Sequence, residues 1–520
     1  MSTNIHLVRF LQNPILVSLR LIWQATLQIC FALLCLRFQI AALRENFPNC
    51  WPTLLLIAGS LALGALRPRS ALFAFTLSVP VLVGLAQSTL LTSSSPPSLV
   101  FCGVWLGTKV RRILVGSTSP HANADSRALL NGRLEMGLVR LVTDVLITSV
   151  MLSLAFQLYK SWHLPDLRTV LFSRAVLGFG DIYYFLTAAF LWLLGLFYFR
   201  ELMSAAMQKG TDTENGTVST WIGPMFAVYT VVLVACFFFQ VISHIPYAPR
   251  QFEGLMLEIS LPFEDSHAFG SIAVAVFAYA ITTLKKTPLL EALGQWVQIA
   301  VILILVIASF SRAAWVVGVM LLLFLAAKTL PWKWTLVSVF VAVAIILSFQ
   351  FAWRESWIPN PILYRLGNLV RVDQPRLYLY HKAFGMVKDS PLIGHGIGTS
   401  YRSSVGFAQV DDPLANVPEF MHNFLLQITT EEGLLIAALY AGLIGLALSR
   451  GVTISLAKGQ AMHRKHSAIS GASVSLVAYL ITQMTANSLN VYISNQFFFW
   501  FLLAALLGTI PENYLDRDHS

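Results

Sequence analysis

Arg376–Gly398, RLYLYHKAFGMVKDSPLIGHGIG, and Met421–Leu435, MHNFLLQITTEEGLL, bracket the one long hydrophilic interval in the late part of an otherwise apolar chain. The first stretch carries Leu377, Tyr380, Phe384 and Val387 at helical spacing and halts at Asp389-Ser390-Pro391, which predicts an amphipathic helix. Gly394, Gly396 and Gly398 then punctuate a turn. The second stretch opens a new apolar run, with His422 and Asn423 at its mouth, where a membrane helix meets water. A hydrophilic interval set between apolar runs predicts an all-α, polytopic membrane helix bundle of about 12–14 transmembrane helices. One large extracytoplasmic loop, containing short helices, interrupts it.

Composition agrees. Of 520 residues, 56% are hydrophobic and only 12% charged, and the mean hydropathy is +0.69, values far from those of a soluble domain. The formal charge of +10 does not point to nucleic acid, because Lys and Arg fall between apolar runs, where they set membrane orientation. Cys30, Cys35, Cys102 and Cys236 lie within apolar runs and Cys50 at the edge of one, without metal-ligand spacing. Neither a disulfide framework nor a metal site is expected. Arg9 and Arg20 precede an apolar run with no small-residue cleavage site, which predicts a retained first helix.

Apolar runs occur at Leu21–Leu36, Trp51–Leu66, Ala71–Leu91, Leu99–Gly107, Leu141–Leu158, Ile182–Phe199, Trp221–Ile242, Ala268–Leu284, Trp296–Phe310, Ala313–Ala327, Trp334–Phe351, Phe424–Leu448, Ala468–Ile481 and Phe497–Ile510. The weakest is Leu99–Gly107, between Pro96-Pro97 and Arg111-Arg112. With the N-terminus inside, alternate loops carry Arg67 and Arg69, then Lys109, Arg111 and Arg112, then Arg200, then Lys285 and Lys286, then Lys328 and Lys333, and finally Arg450, Arg464 and Lys465. These all fall on the cytoplasmic side, although Arg37, Arg44, Lys160, Arg168 and Arg174 fall outside. The balance predicts both termini in the cytoplasm. It also predicts an N-terminal bundle over 1–351, an extracytoplasmic loop over 352–422 and C-terminal helices over 423–520 that pack with the first bundle as one domain.

Several polar groups gather on the outer face in this topology. Arg312 sits at the hinge between two closely spaced runs, and Arg250 lies in the loop before Ala268. A guanidinium at such a boundary either matches phosphate oxygens with two parallel hydrogen bonds or snorkels to headgroups. Arg376 opens the amphipathic helix, where a cation opposes the helix dipole. His422 has Asn423, Gln427 and Glu431 beside it at four-residue spacing. An imidazole titrates near neutral pH and so can take a proton from a hydroxyl, or it can cap the helix. Glu264 and His267, with Asp265 and Ser266 between them, could bind sugar hydroxyls or cap the next helix. Gly394-His395-Gly396-Ile397-Gly398 has no preceding strand and no Lys-Ser/Thr after it, which favours a turn over a phosphate loop.

Ser311-Arg312-Ala313-Ala314-Trp315, Arg376, the Asp389–Gly398 run and Met421–Gln427 closed by Glu432-Gly433-Leu434 together resemble the C-terminal signature of the O-antigen ligase and polymerase superfamily of bacterial membrane glycosyltransferases. The resemblance covers about the last two hundred residues. It implies transfer of a glycan from an undecaprenyl-diphosphate-linked oligosaccharide to a sugar hydroxyl, outside the cytoplasmic (inner) membrane and without metal or cofactor. Arg312 and Arg250 would correspond to the arginines of the family that bind diphosphate, and His422 to its loop histidine. Phe263–His267 is similar to a Glu-Pro-Ser-His stretch of some polymerases, with Asp265 in place of proline. That likeness leans towards a repeat-unit polymerase. The alternatives are a ligase whose acceptor is lipid A-core and a lipid-linked glycan flippase. The implied partners are the lipid-linked donor, a glycan or lipid A-core acceptor, the bilayer and a chain-length regulator.

Overall fold

The computed structural model describes residues 14–45, 51–87, 96–115, 128–161, 183–207, 218–242, 266–284, 288–309, 311–331, 374–408, 420–456, 463–486 and 492–509, with 333, 337 and 489. They form fourteen longer helices. These are α1 (Pro14–Glu45), α2 (Trp51–Leu66), α3 (Pro68–Gln87), α4 (Pro96–Val115), α5 (Ala128–Ser161), α6 (Tyr183–Met207), α7 (Ile222–Ile242), α8 (Ser266–Thr283), α9 (Leu289–Ala308), α10 (Arg312–Thr329), α11 (Gln374–Asp389), α12 (Phe424–Leu456), α13 (His463–Ala486) and α14 (Ile493–Leu507). Helix is what an apolar chain must form in lipid, because the backbone then satisfies its own hydrogen bonds.

Among the described residues, eight helices are long and apolar enough to cross a membrane, and four shorter apolar helices accompany them. The chain is therefore a multi-pass membrane bundle. Apart from Val337, the expected run Trp334–Phe351 lies outside the described residues. The weak run Leu99–Gly107 lies inside α4, whose Leu99, Phe101, Cys102 and Trp105 are buried against neighbouring helices. Burial ranks the helices from centre to rim: 89% of the Ala188–Ala206 span of α6 is covered by protein, against 22% of Leu21–Ile40 in α1. Phe497–Leu507 of α14 is also wholly buried, so α6 and α14 form the axis. Aromatic rings fill that centre, with Phe31 stacked on Phe197 and Trp105, Phe75, Tyr198 and Phe497 packed edge to face around them.

Directions follow from contacts. α8 runs antiparallel to α13, since Gly471 lies against Tyr279 and Thr283 while the Ser475 hydroxyl donates to the Ala275 carbonyl at 2.8 Å. α12 and α13 form an antiparallel hairpin in which Gly451 abuts Ser473. α10 runs parallel to α8, because His267 meets Ser311 at one end and Lys328 donates to the Ile281 and Thr282 carbonyls at the other. Helices α8, α10 and α12 therefore begin at the same end of the bundle. α5 runs antiparallel to α12, from Met136 beside Arg450 to Gln157 beside His395.

Basic residues collect at the opposite end. Arg67 and Arg69 lie at the bend between α2 and α3, where the Arg111 guanidinium donates to the carbonyls of Ala65 and Leu66. Lys109 and Arg112 pair with Glu201 at 2.6 and 3.2 Å, and Arg200 with Asp144 at 3.4 Å. Arg450 donates to the Leu507 carbonyl at the end of α14.

Candidate functional site

The corner Ser309–Arg312 between α9 and α10 is built from serine hydroxyls. The Ser309 hydroxyl donates to the Val306 carbonyl at 2.7 Å and accepts from the Ser311 amide at 3.3 Å. Ser311 caps α10, its oxygen accepting from the Ala314 amide. The same hydroxyl lies 3.2 Å from His267 Nδ1 and shares a hydrogen bond with it. The Trp315 indole donates to the Ile307 carbonyl at 3.0 Å and ties the first turn of α10 to the last turn of α9. Arg312 is thus the first residue of a helix whose start is fixed on three sides, and it is half-buried. The positive end of the α10 dipole lies beside it.

His422 is half-buried and has φ 47°, the only non-glycine residue in the left-handed region among the described residues. Both neighbours are pinned. The Met421 amide donates to Gln427 Oε1 at 3.4 Å, and the Met421 side chain packs in a small cluster with Ala383 and Met386 of α11. Asn423 Oδ1 accepts from the Leu426 amide at 3.0 Å, so Asn423 takes the capping role that the sequence left open for His422. From there a polar chain runs inward. Gln427 Nε2 donates to Glu431 Oε1 at 2.9 Å, and the buried Ser400 hydroxyl donates to the same oxygen at 2.5 Å.

The chain ends where α12 is broken. Gly433 has φ 85° and ψ 170° inside an otherwise continuous helix. The glycine-rich turn docks there: the His395 amide donates to the Thr430 carbonyl at 2.9 Å, the Gly396 amide to Glu431 O at 2.7 Å, and the Leu434 amide to Pro391 O at 2.8 Å. A β-carbon on Gly433 would meet the Leu392 carbonyl, and one on Gly394 the Glu431 carbonyl, so the two backbones touch only because both residues are glycine. Helix α5 clamps the other side, with Gln157 donating to the His395 carbonyl at 3.0 Å and Ser153 accepting from the Ile397 amide at 2.7 Å. The Ser149 hydroxyl donates to Glu432. The amides of this turn are spent on the protein itself, which is how a turn behaves and not a phosphate cradle.

Of the residues singled out by sequence, the structure brings His267 into contact with Ser311, the neighbour of Arg312, and sets His422 and Asn423 at the start of a parallel helix at the same end. Helix α13 packs against α8, α10 and α12, so the two groups flank its C-terminal end. Arg376 lies half-buried in the first turn of α11. Arg250 and Glu264 lie outside the described residues. In α11, Leu379, Lys382, Ala383 and Met386 turn inward, while Leu377 and Phe384 of the apolar set are exposed. A helix at a membrane surface has apolar surroundings on its outer side, so apolar spacing does not tell which face meets protein.

Sequence reasoning missed Ser149, Ser153 and Gln157, although their four-residue spacing puts a polar stripe on an apolar helix. It also missed Lys382, only 1% exposed within α11. Among the described residues no three His, Cys, Asp or Glu side chains gather as metal ligands.

No curated protein matches the chain. The O-antigen ligase family model matches residues 298–441, an interval that runs from α9 to the middle of α12 and includes Arg312, Arg376, His422 and the Gly433 break. That match, over 298–441, supports the likeness of this part of the chain to the O-antigen ligase and polymerase superfamily.

Proposed function

We propose that the protein transfers a glycan from an undecaprenyl-diphosphate carrier to a sugar hydroxyl, at the end of the bundle where α8, α10 and α12 begin. The family supports glycosyltransferase activity in polysaccharide assembly. The observation that carries the finer reading is the shared end of His267, Arg312 and His422, opposite the Lys109, Arg112, Arg200 and Arg450 cluster. Basic loops favour the cytoplasm, so this end faces outwards across the inner membrane, where lipid-linked glycans are joined.

Diphosphate is already a good leaving group. The site must stabilise the negative charge that grows as the anomeric C–O bond breaks, and a guanidinium at a helix N-terminus does so with two parallel hydrogen bonds. Arg312 takes this role, and Arg250 and Arg376 extend the contact to the carrier. His422 accepts the acceptor hydroxyl proton as the new C–O bond forms, which inverts the anomeric carbon in a direct displacement. Asn423, His267 and Glu264 hold sugar hydroxyls. Purified protein incubated with lipid-linked glycan tests this: a new glycosidic linkage is expected, and movement of the lipid without linkage would instead identify a flippase.

The leaning is to a repeat-unit polymerase, because His267 of the Phe263–His267 stretch stands against the Ser311-Arg312 corner. Deleting the gene decides the acceptor. Surface glycan of single repeats is the polymerase outcome, and long chains left on the carrier the outcome for a ligase that uses lipid A-core.

A further inference from the structure

Helix α12 is broken at Gly433, and the part beyond the break, 434–456, extends for about 35 Å at roughly 1.5 Å per residue. That length alone covers a hydrocarbon core about 30 Å thick. Its exposed stripe begins with Leu434 and Leu435 and continues through Ala438, Ala441 and Gly445, as the lipid-facing side of a spanning helix does. Arg450, whose guanidinium reaches the Leu507 carbonyl, sits near the cytoplasmic boundary. Gly433 therefore marks the outer boundary of the hydrocarbon, and 424–432 lies at or beyond it.

The turn after α11 is fastened at this level. The Leu434 amide donates to the Pro391 carbonyl at 2.8 Å, and the Leu392 carbonyl lies against Gly433. The side chains of Leu392 and Ile393 are nevertheless 69% and 80% exposed, beside Leu434 and Leu435 at 50% and 63%. Four large apolar side chains held open together are unfavourable in water, and they carry the lipid-facing stripe of α12 onto the turn. Helix α11 adds to the same surface. Leu377, His381, Phe384 and Lys388 are exposed along one stripe of it, two large apolar residues alternating with two that have an apolar body and a polar tip. That composition suits a helix lying at headgroup level. We infer that α11 and the turn 391–393 are seated on the outer leaflet of the bilayer, with Leu392 and Ile393 in the acyl-chain boundary and Leu377 and Phe384 against it. The partner is a lipid surface, because the patch is continuous with the side of α12 that faces lipid. On the inner face of α11, Ala383 and Met386 pack on Met421, so the seated helix carries the residue before His422. The lipid contact does not depend on the glycan-transfer reading.

The test places one nitroxide label at a time on the full chain in phospholipid nanodiscs, with the five native cysteines replaced. It compares collision with oxygen, which concentrates among acyl chains, with collision with a water-soluble nickel chelate. Asp389→Cys, at an exposed carboxylate, is the water-facing reference, and Ala438→Cys, on the exposed stripe of α12, is the lipid-facing one. Phe384→Cys and Ile393→Cys both change exposed side chains and leave the core closed. Each is expected to give an oxygen-to-nickel ratio several-fold above that of Asp389→Cys, with Ile393→Cys approaching Ala438→Cys. Ratios no higher than that of Asp389→Cys at both positions would put this face in water and overturn the assignment. Poor collision with both reagents would overturn it equally, since protein, whether another segment of the chain or a second copy, would then cover the face.

Discussion

His422 holds a backbone conformation that costs about 1–3 kcal/mol for a residue with a β-carbon, and its neighbours enforce it through Gln427 and the Asn423 cap. Strain kept this way fits a side chain that must point in one direction. His422→Ala should lower the glycosyl-transfer rate by about 10²- to 10⁴-fold with little loss of stability, since alanine keeps the β-carbon and leaves the Met421 and Asn423 hydrogen bonds in place. Unchanged kcat in folded protein would remove His422 from the chemistry. Arg312→Lys keeps the charge and loses the fork, so transfer should fall about tenfold to a hundredfold, measured as kcat/KM for the lipid-linked donor. Gln427→Ala breaks both the Met421 contact and the link to Glu431. It should therefore lower kcat although Gln427 touches no substrate, and Gln427→Glu should restore part of it by preserving the acceptor to Met421. Much of this was legible in sequence, because Arg312, His422 and Asn423 stand at ends of apolar runs where polar groups are conspicuous. The φ of His422 was not, since no side-chain pattern encodes a single left-handed residue.

The broken helix is where element-scale structure enters. A continuous α12 would bury Glu431 and Glu432 among apolar neighbours, whereas the break at Gly433 lets the turn after α11 supply hydrogen-bond partners, and α5 adds Ser149. Gly433→Ala is expected to be among the most damaging single-methyl changes in the chain. A β-carbon there meets the Leu392 carbonyl, and φ 85° is unfavourable for alanine in any case. Lower yield and faster proteolysis between α11 and α12 are the expected readings; a thermal midpoint within a degree of wild type would show that the turn does not dock as described. The glycines announced a turn in the sequence, but its docking partner was hidden. Gln157 lies 238 residues from His395, and long-range pairing of a lone polar side chain leaves no local signal. Which side of α11 meets protein was hidden for the related reason that lipid and protein are equally apolar neighbours.

At the scale of the whole molecule, chain direction and charge agree without being linked by construction. Contacts alone set α8, α10 and α12 parallel, and that places His267, Arg312 and His422 at one end while Lys109, Arg112, Arg200 and Arg450 fall at the other. The alternation of basic loops in the sequence implies the same division, although the apolar runs alone gave too many short segments to fix the span count. Orientation is open to direct test. In a variant with its five cysteines replaced, a single cysteine at Asp389, exposed at the end of α11, reports one face, and one at the exposed Lys333, beyond α10, reports the other. A membrane-impermeant thiol reagent added to intact cells should label Asp389→Cys and not Lys333→Cys, and permeabilisation should make both react. The reverse pattern would put the Arg312 and His422 end in the cytoplasm, away from a donor presented on the outer leaflet, and the proposed glycan transfer would lose its substrate.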